Sequence, residues 1–359
     1  ALGKRLAFGL LQRLGSDYTR LIFGLHLLGF FLAFLLPSGI IRIFILIPVG
    51  LKLIEVMRLP RDSRLGAAII ASLICGTNYP SAGILTASLP NLVILGIMET
   101  ELQQTISWGA WLLFMLPTIG ILRLLVSTVV ILFLFRPTGS TSLPPLTFPA
   151  LPPMTTAEKR VIAYLSLAIL LWATDFLHQI HPTYVGLGIV LLYFLPVFGV
   201  FSFEKLRGLN FPLLFYIAAF FAMGRALQES GFNTIIATRV LQIVDMSRAG
   251  WFGSYYLLIL LTLPFSALMD TAAVAGVLTP LVLDIAQKAG LSPLGAALAE
   301  AIGTSLIFLP YQAAPFMIAY GFGHIRMHQL VRAMVTISLL TLLLLAPLTL
   351  GYWHWLGLI

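Results

Sequence analysis

The apolar positions of this chain fall into long runs, separated by polar loops or by short breaks rich in Pro and Gly. Residues 2–20 set Lys4, Arg5, Arg13 and Arg20 among Leu and Phe at helical spacing, which predicts a helix lying in a membrane interface. Residues 21–57 form an apolar run broken at Pro37-Ser38-Gly39. Each half is at the short limit for crossing a bilayer core of about 30 Å, so the run predicts a re-entrant hairpin whose tip stops inside the membrane. Two short helices joined by a surface turn are the plainer alternative. After the basic loop 58–64, residues 65–98 are too long for one straight span and are interrupted at Gly76, Pro80, Gly83 and Pro90-Asn91. That predicts a helix broken in mid-membrane, with main-chain groups freed to bind ions, or a kink that serves packing alone. Residues 108–135 read as a plain span, kinked at Pro117, with Arg123 structural or snorkelling.

Pro, Ser and Thr concentrate in residues 136–156, the one clear linker. Thr155 and Glu158 have the spacing of a capping box, and residues 157–179 and 184–201 follow as spans. Asp175 and His178, near the outer end of the first, read as solvated or interfacial. Residues 211–228 predict a further span and 231–246 an amphipathic segment. A second broken apolar run, 251–287, holds Asp270-Thr271; residues 294–323 are again overlong, interrupted at Gly303 and from Pro310 to Pro315; residues 330–347 close the chain. The order of interfacial helix, broken hairpin, broken span and plain span thus occurs twice. Pro37 and Pro48 are 11 residues apart, as are Met269 and Pro280, which sets Ser38 opposite Asp270 and Gly39 opposite Thr271. Weak internal symmetry with interrupted helices at matching places points to a secondary transporter whose site lies at the repeat interface near the bilayer midplane. The division expected is a first repeat over 1–136, a cytoplasmic linker over 137–156, scaffold helices over 157–203 and an inverted second repeat over 204–359.

Composition sharpens this picture. With 59% hydrophobic residues, 9% charged and a mean hydropathy of +1.01, the chain has more apolar surface than a soluble core can hide. It reads as an all-α polytopic protein integral to a bacterial or archaeal plasma membrane, with the lipid bilayer as partner. The net charge of +8 belongs to cytoplasmic loops rather than to a nucleic-acid surface. If loop 58–64 is inside, so are Arg136, Lys159, Arg160, Lys205, Arg207, Arg326 and Arg332, while Glu99, Glu101 and Lys288 lie outside; the two hairpins then enter from opposite sides. Cys75 is the only cysteine, so no intrachain disulfide forms. The scattered histidines and the lack of a metal or nucleophile motif weigh against the third reading, a membrane enzyme acting on a lipid-linked substrate. No signal peptide is recognisable, and the chain reads as truncated at its start.

Candidate chemistry gathers at the two tips. An acid within an apolar run costs roughly 2.5–3.5 kcal/mol to insert, which marks Asp270 as a site residue. Arg42 follows the first tip. It either pairs with Asp270, the two sharing the desolvation cost, or binds an anion through its guanidinium fork while Asp270 carries a proton or a sodium ion. Glu300, just before Gly303, is a second candidate for cation or proton coupling.

At these residues the chain resembles a known family. Residues 211–232, FPLLFYIAAFFAMGRALQESGF, are similar to the helix that opens the second repeat in the divalent anion/sodium symporters. Those carriers of sulfate, citrate and C4-dicarboxylates belong to a wider ion transporter superfamily that also contains arsenite permeases and sodium/proton antiporters. Met269-Asp270-Thr271-Ala272-Ala273 stands where that family has Ser-Asn-Thr-Ala-Thr, and Pro37-Ser38-Gly39 stands at the first tip. Ser88-Leu89-Pro90-Asn91 resembles the family's first Thr-Pro-Pro-Asn element, while Ala313-Ala314-Pro315-Phe316 keeps only the second proline. Taken with Arg42 and Glu300, the resemblance implies a substrate site of Ser38, Gly39, Arg42, Asn91, Asp270 and Thr271. It implies ion binding at Ser38, Ser88, Asp270, Glu300 and Ala313, with sodium or a proton as coupling ion and no organic cofactor. It further implies further helices ahead of Ala1, a homodimer formed through scaffold helices, and alternating access by an elevator-like or rocking motion. The expected function is secondary active transport of a small anion; the alternative on the same fold is sodium/proton antiport.

Overall fold

The computed structural model describes residues 17–137, 152–196, 198–202, 229–243 and 246–359, with isolated positions elsewhere. Most of the expected interfacial helix at 2–20, most of the linker and the span at 211–228 lie outside the described residues.

The first helix, α1 (Tyr18–Leu35), begins where the Asp17 carboxylate accepts the Arg20 N–H. It ends at Leu36, which takes extended backbone because Pro37 follows. Helix α2 (Gly39–Val56) restarts after the Ser38 cap. Next come α3 (Arg64–Asn78), two short 3₁₀ turns at Pro80–Gly83 and Leu85–Ala87, and α4 (Leu89–Leu102). Helix α5 (Trp108–Leu134) contains a π segment, Leu116–Leu122, at the place where a kink at Pro117 is expected.

Helices α6 (Thr156–Ala173), α7 (Pro182–Phe194) and α8 (Phe232–Ile243) intervene before the pattern returns. Hairpin α9 (Met246–Ser266) and α10 (Thr271–Lys288) precedes α11 (Pro293–Thr304), a 3₁₀ turn at Pro310–Gln312, α12 (Ala314–Gly321) and α13 (Met327–Trp355). Like α5, α13 carries a π segment, Thr341–Leu345. Hairpin, broken helix and π-bulged long helix therefore occur twice in the same order. Helices α1, α5, α13 and the Ala249–Ser266 part of α9 are long and apolar enough to cross a membrane.

The two repeats are interlocked. One core joins α1, α2 and α3 to Phe316 and Ala319 of α12; the other joins α9, α10 and α11 to Val93, Ile94 and Ile97 of α4. The half of each broken helix that follows its break thus packs with the other repeat's hairpin, and each break sits on the boundary between the cores. Within each repeat the hairpin crosses the broken helix at a glycine. A Cβ on Gly76 would lie 2.5 Å from the His26 Cα, and one on Gly303 would collide with Thr262 and the Ile259 carbonyl.

Loops with matching predicted sides share one end of the molecule. Arg326 pairs with Asp62 at 3.2 Å, and the Arg5 guanidinium with Glu158 at 3.2 Å. His181 meets Glu99 at the other end. One expectation needs correction. Asp175 is not solvated: it is buried, and its carboxylate accepts the Trp108 and Gly109 N–H groups, capping α5 from a distant part of the chain. Of the two readings of Arg123, structural or snorkelling, its complete burial fits the structural one.

Candidate functional site

Every helix that restarts after a tip or a break begins at a residue in extended backbone: Ser38 for α2, Ser88 for α4, Asp270 for α10 and Ala313 for α12. Ser38 and Asp270 are equivalent N-caps, the hydroxyl accepting Ile41 N–H and the carboxylate accepting Ala272 N–H. A helix N-terminus carries a partial positive charge and unpaired N–H groups, so these starts favour an anion.

The tips and breaks meet inside the molecule. A Cβ on Gly39 would lie 2.9 Å from Asn78 Oδ1 and 3.1 Å from Pro315 Cγ, so the first tip touches both broken helices and has no room for a side chain there. At the second tip, Tyr311 donates its hydroxyl to the Ala267 carbonyl, and Gln312 donates its amide to the Ser266 carbonyl. The 310–315 segment therefore stands between the two tips. It explains why Arg42 and Asp270 form no charge pair, contrary to one expectation.

Arg42 instead turns toward the first break. Buried to 1% exposure, it donates to the carbonyls of Leu36 at 2.8 Å, Ala87 at 3.1 Å and Thr77 at 3.4 Å. Its Nε has no partner. A guanidinium has five N–H donors, so part of the fork is unused. In the second repeat the tip is tied to its break by Gln312, a neutral amide, which also accepts the Phe308 and Leu309 N–H groups. The repeats thus share a shape and differ in charge.

The other expected site residues take varied positions. Asn91 is buried and gives its amide to the Ala82 and Ile84 carbonyls, holding the break in shape. Ser88 makes no capping bond, and Thr271 is the buried first residue of α10. Ala313 gives its carbonyl to Phe316 N–H. Glu300 lies apart from the tips, fully buried beside Thr279 at 3.0 Å.

Sequence reasoning missed the link between the breaks. Arg123 donates to the Tyr79 carbonyl at 3.4 Å and to both the hydroxyl and the carbonyl of Ser305 at 2.7 Å, with its guanidinium 4.8 Å from the Tyr79 ring centroid. Tyr79 in turn donates to Ile307 in the other break. Tyr79 and Ser305 are matching C-caps, of α3 and α11, so one arginine bridges equivalent points of both repeats. The adjacency of Tyr79 to Pro80 marked the break but not its partner.

Paired hairpins, paired broken helices split between two cores, and helix starts gathered around a buried arginine define a polytopic membrane transporter of the secondary type. The family described as the sodium:sulfate symporter transmembrane region matches residues 1–359, and the chain belongs to it. It is similar to a membrane protein of Cupriavidus necator, 24% identical over 99% of this chain and 71% of that protein. It is similar also to the L-tartrate/succinate antiporter of Escherichia coli strain K12, 26% identical over 90% of this chain and 69% of that protein. Among solved structures, the Alcanivorax borkumensis YdaH transporter shares the fold with a TM-score of 0.60 at 18% identity, covering 99% of this chain and 81% of that one. The chain is a secondary transporter of small anions, integral to a membrane.

Proposed function

We propose that this chain moves a C4-dicarboxylate such as succinate or tartrate across a bacterial plasma membrane, taking the anion between the tips and breaks. The observation that carries the reading is Arg42, buried with unused donors within a turn of the α2, α4 and α12 starts. Charge-assisted bonds from a guanidinium suit a carboxylate, and the nearby N–H groups add to them. Ser38 and Ser88 supply hydroxyls at the starts of α2 and α4, Gly39 seats the first tip against both broken helices, and Thr271 adds a hydroxyl at the second tip. Asn91 acts by holding the first break, and Ala313 by shaping the second. Asp270, at the second tip, is assigned to a coupling cation, sodium or a proton.

Residues 1–136 and 204–359 act as the two inverted repeats, with the 157–203 helices as scaffold and 137–156 as their cytoplasmic linker. Lipid covers exposed side chains such as Phe31, Phe44 and Phe133, and the working unit is a homodimer. The chain in proteoliposomes is expected to exchange external labelled succinate for internal succinate or tartrate, and Arg42→Gln to lose that exchange while remaining folded. Undiminished exchange by the variant refutes the assignment.

A further inference from the structure

Glu300 is a buried titratable group that the anion site leaves unused. Its Oε1 meets Thr279 Oγ1 at 3.0 Å, and its Oε2 has no partner. Thr279 Oγ1 also lies 2.6 Å from the Ala275 carbonyl, a separation that two oxygens hold only with a hydrogen between them. A hydroxyl has one proton. The Thr279 hydroxyl faces both the Ala275 carbonyl and Glu300 Oε1 with that one proton, so the buried carboxyl has at most a single hydrogen bond from the protein side chains around it. A fully buried carboxyl with so few partners is costly as a bare charge.

The charged and titratable groups on the packed elements do not alter this. Helix α11 packs on α9, α10 and α4. Their described groups of this kind are Tyr255 and Tyr256 on α9, Asp270, Asp284 and Lys288 on α10, and Glu99 and Glu101 on α4. None is bonded to Glu300; Lys288 pairs with Asp284 at 2.9 Å, and Glu99 with His181. The chain also contains its own control. Matching the tips sets Ile47 at the position of Thr279, and matching the C-caps Tyr79 and Ser305 sets Ile74 at the position of Glu300; both isoleucines are buried. Two apolar side chains fill that place in the first repeat, so packing does not call for a carboxyl and a hydroxyl in the second. One turn on, on the same face, Thr304 also has a buried hydroxyl without a partner, next to the second break.

We propose that Glu300 is a proton-carrying site that couples anion transport to the proton gradient, exchanging its proton past Thr304 and the second break. The carboxyl releases one proton to water on one side of the membrane, is left as a carboxylate, and takes one proton from water on the other side. This rests on the reading of the chain as an anion transporter.

The test uses the chain in proteoliposomes with labelled succinate, with and without a pH gradient, together with infrared spectra of the protonated carboxyl C=O stretch. A gradient of one pH unit is expected to drive about tenfold accumulation by wild type. Glu300→Gln, which can neither release nor take up a proton, loses the gradient response and a protonated-carboxyl band. Glu300→Asp retains part of both. Equal gradient-driven accumulation by Glu300→Gln and wild type overturns the proposal, as does a wild-type spectrum at neutral pH without a band that the variant removes. Absence of succinate exchange in wild type refutes the C4-dicarboxylate reading instead, and the infrared band still decides whether Glu300 holds a proton.

Discussion

Replacing Gly76 by alanine tests whether the first hairpin is seated on its broken helix as described. The new Cβ would stand 2.5 Å from the His26 Cα, 2.9 Å from its carbonyl oxygen and 3.1 Å from its carbonyl carbon, all backbone atoms that cannot rotate away. Relief to ordinary contact, about 3.5 Å, requires α1 and α3 to part by about 1 Å. Such a gap forfeits roughly a quarter to a half of the dispersion energy of each contact along the seam, and an overpacked core of this kind costs about 1–3 kcal/mol. The opposite face is as tight, since a Cβ on Gly29 would sit 2.8 Å from the Gly76 carbonyl carbon. The expected result is a melting temperature in detergent about 5 °C below wild type. Gly321→Ala is the control, with nothing within 4 Å of its Cβ. Uptake should fall as well, because Leu36 at the end of α1 and Thr77 beside Gly76 both supply carbonyls to Arg42. A Gly76→Ala protein that melts with wild type and with the control refutes the seating.

Other outcomes follow from the same contacts. Arg42→Gln removes a charge that, beside a bound carboxylate at an effective dielectric near 20, contributes about 4 kcal/mol; half that value already raises the half-saturating succinate concentration roughly thirtyfold. An unchanged concentration dependence excludes Arg42 from the substrate site. Asp175→Ala strips the cap from Trp108 and Gly109, at a cost of about 1–2 kcal/mol, and is expected to lower the melting temperature with Asp175→Asn intermediate and transport per folded molecule unchanged. Equal melting of all three proteins counts against the cap. Gln312→Leu leaves the Phe308 and Leu309 N–H groups unpaired at about 1–3 kcal/mol each, and hydrogen exchange across residues 305–313 should quicken. Exchange at the wild-type rate refutes its bracing role.

Much of the fold was legible along the chain because lipid and helix geometry act locally. Runs of apolar residues, the Pro37-Ser38-Gly39 break and the proline-bounded 310–315 break impose helix ends whatever surrounds them, since proline lacks an N–H and restrains its predecessor. The 11-residue spacing after each tip set Ser38 against Asp270, and both are helix N-caps. What the chain by itself could not determine is where long polar side chains end. Arg42 and Asp270 look like partners because both follow tips; with the 310–315 segment between the tips, Arg42 turns to the carbonyls that the first break exposes. Arg123 read as structural or snorkelling and Asp175 as solvated or interfacial. Their partners, Tyr79, Ser305 and the start of α5, are remote in sequence and become available only once the helices pack. The interlocking of the repeats is of the same kind. Either half of a broken helix is apolar enough for either core, so sequence periodicity cannot say which core it joins, and only the close crossings at Gly29, Gly76 and Gly303 and the packing around them decide.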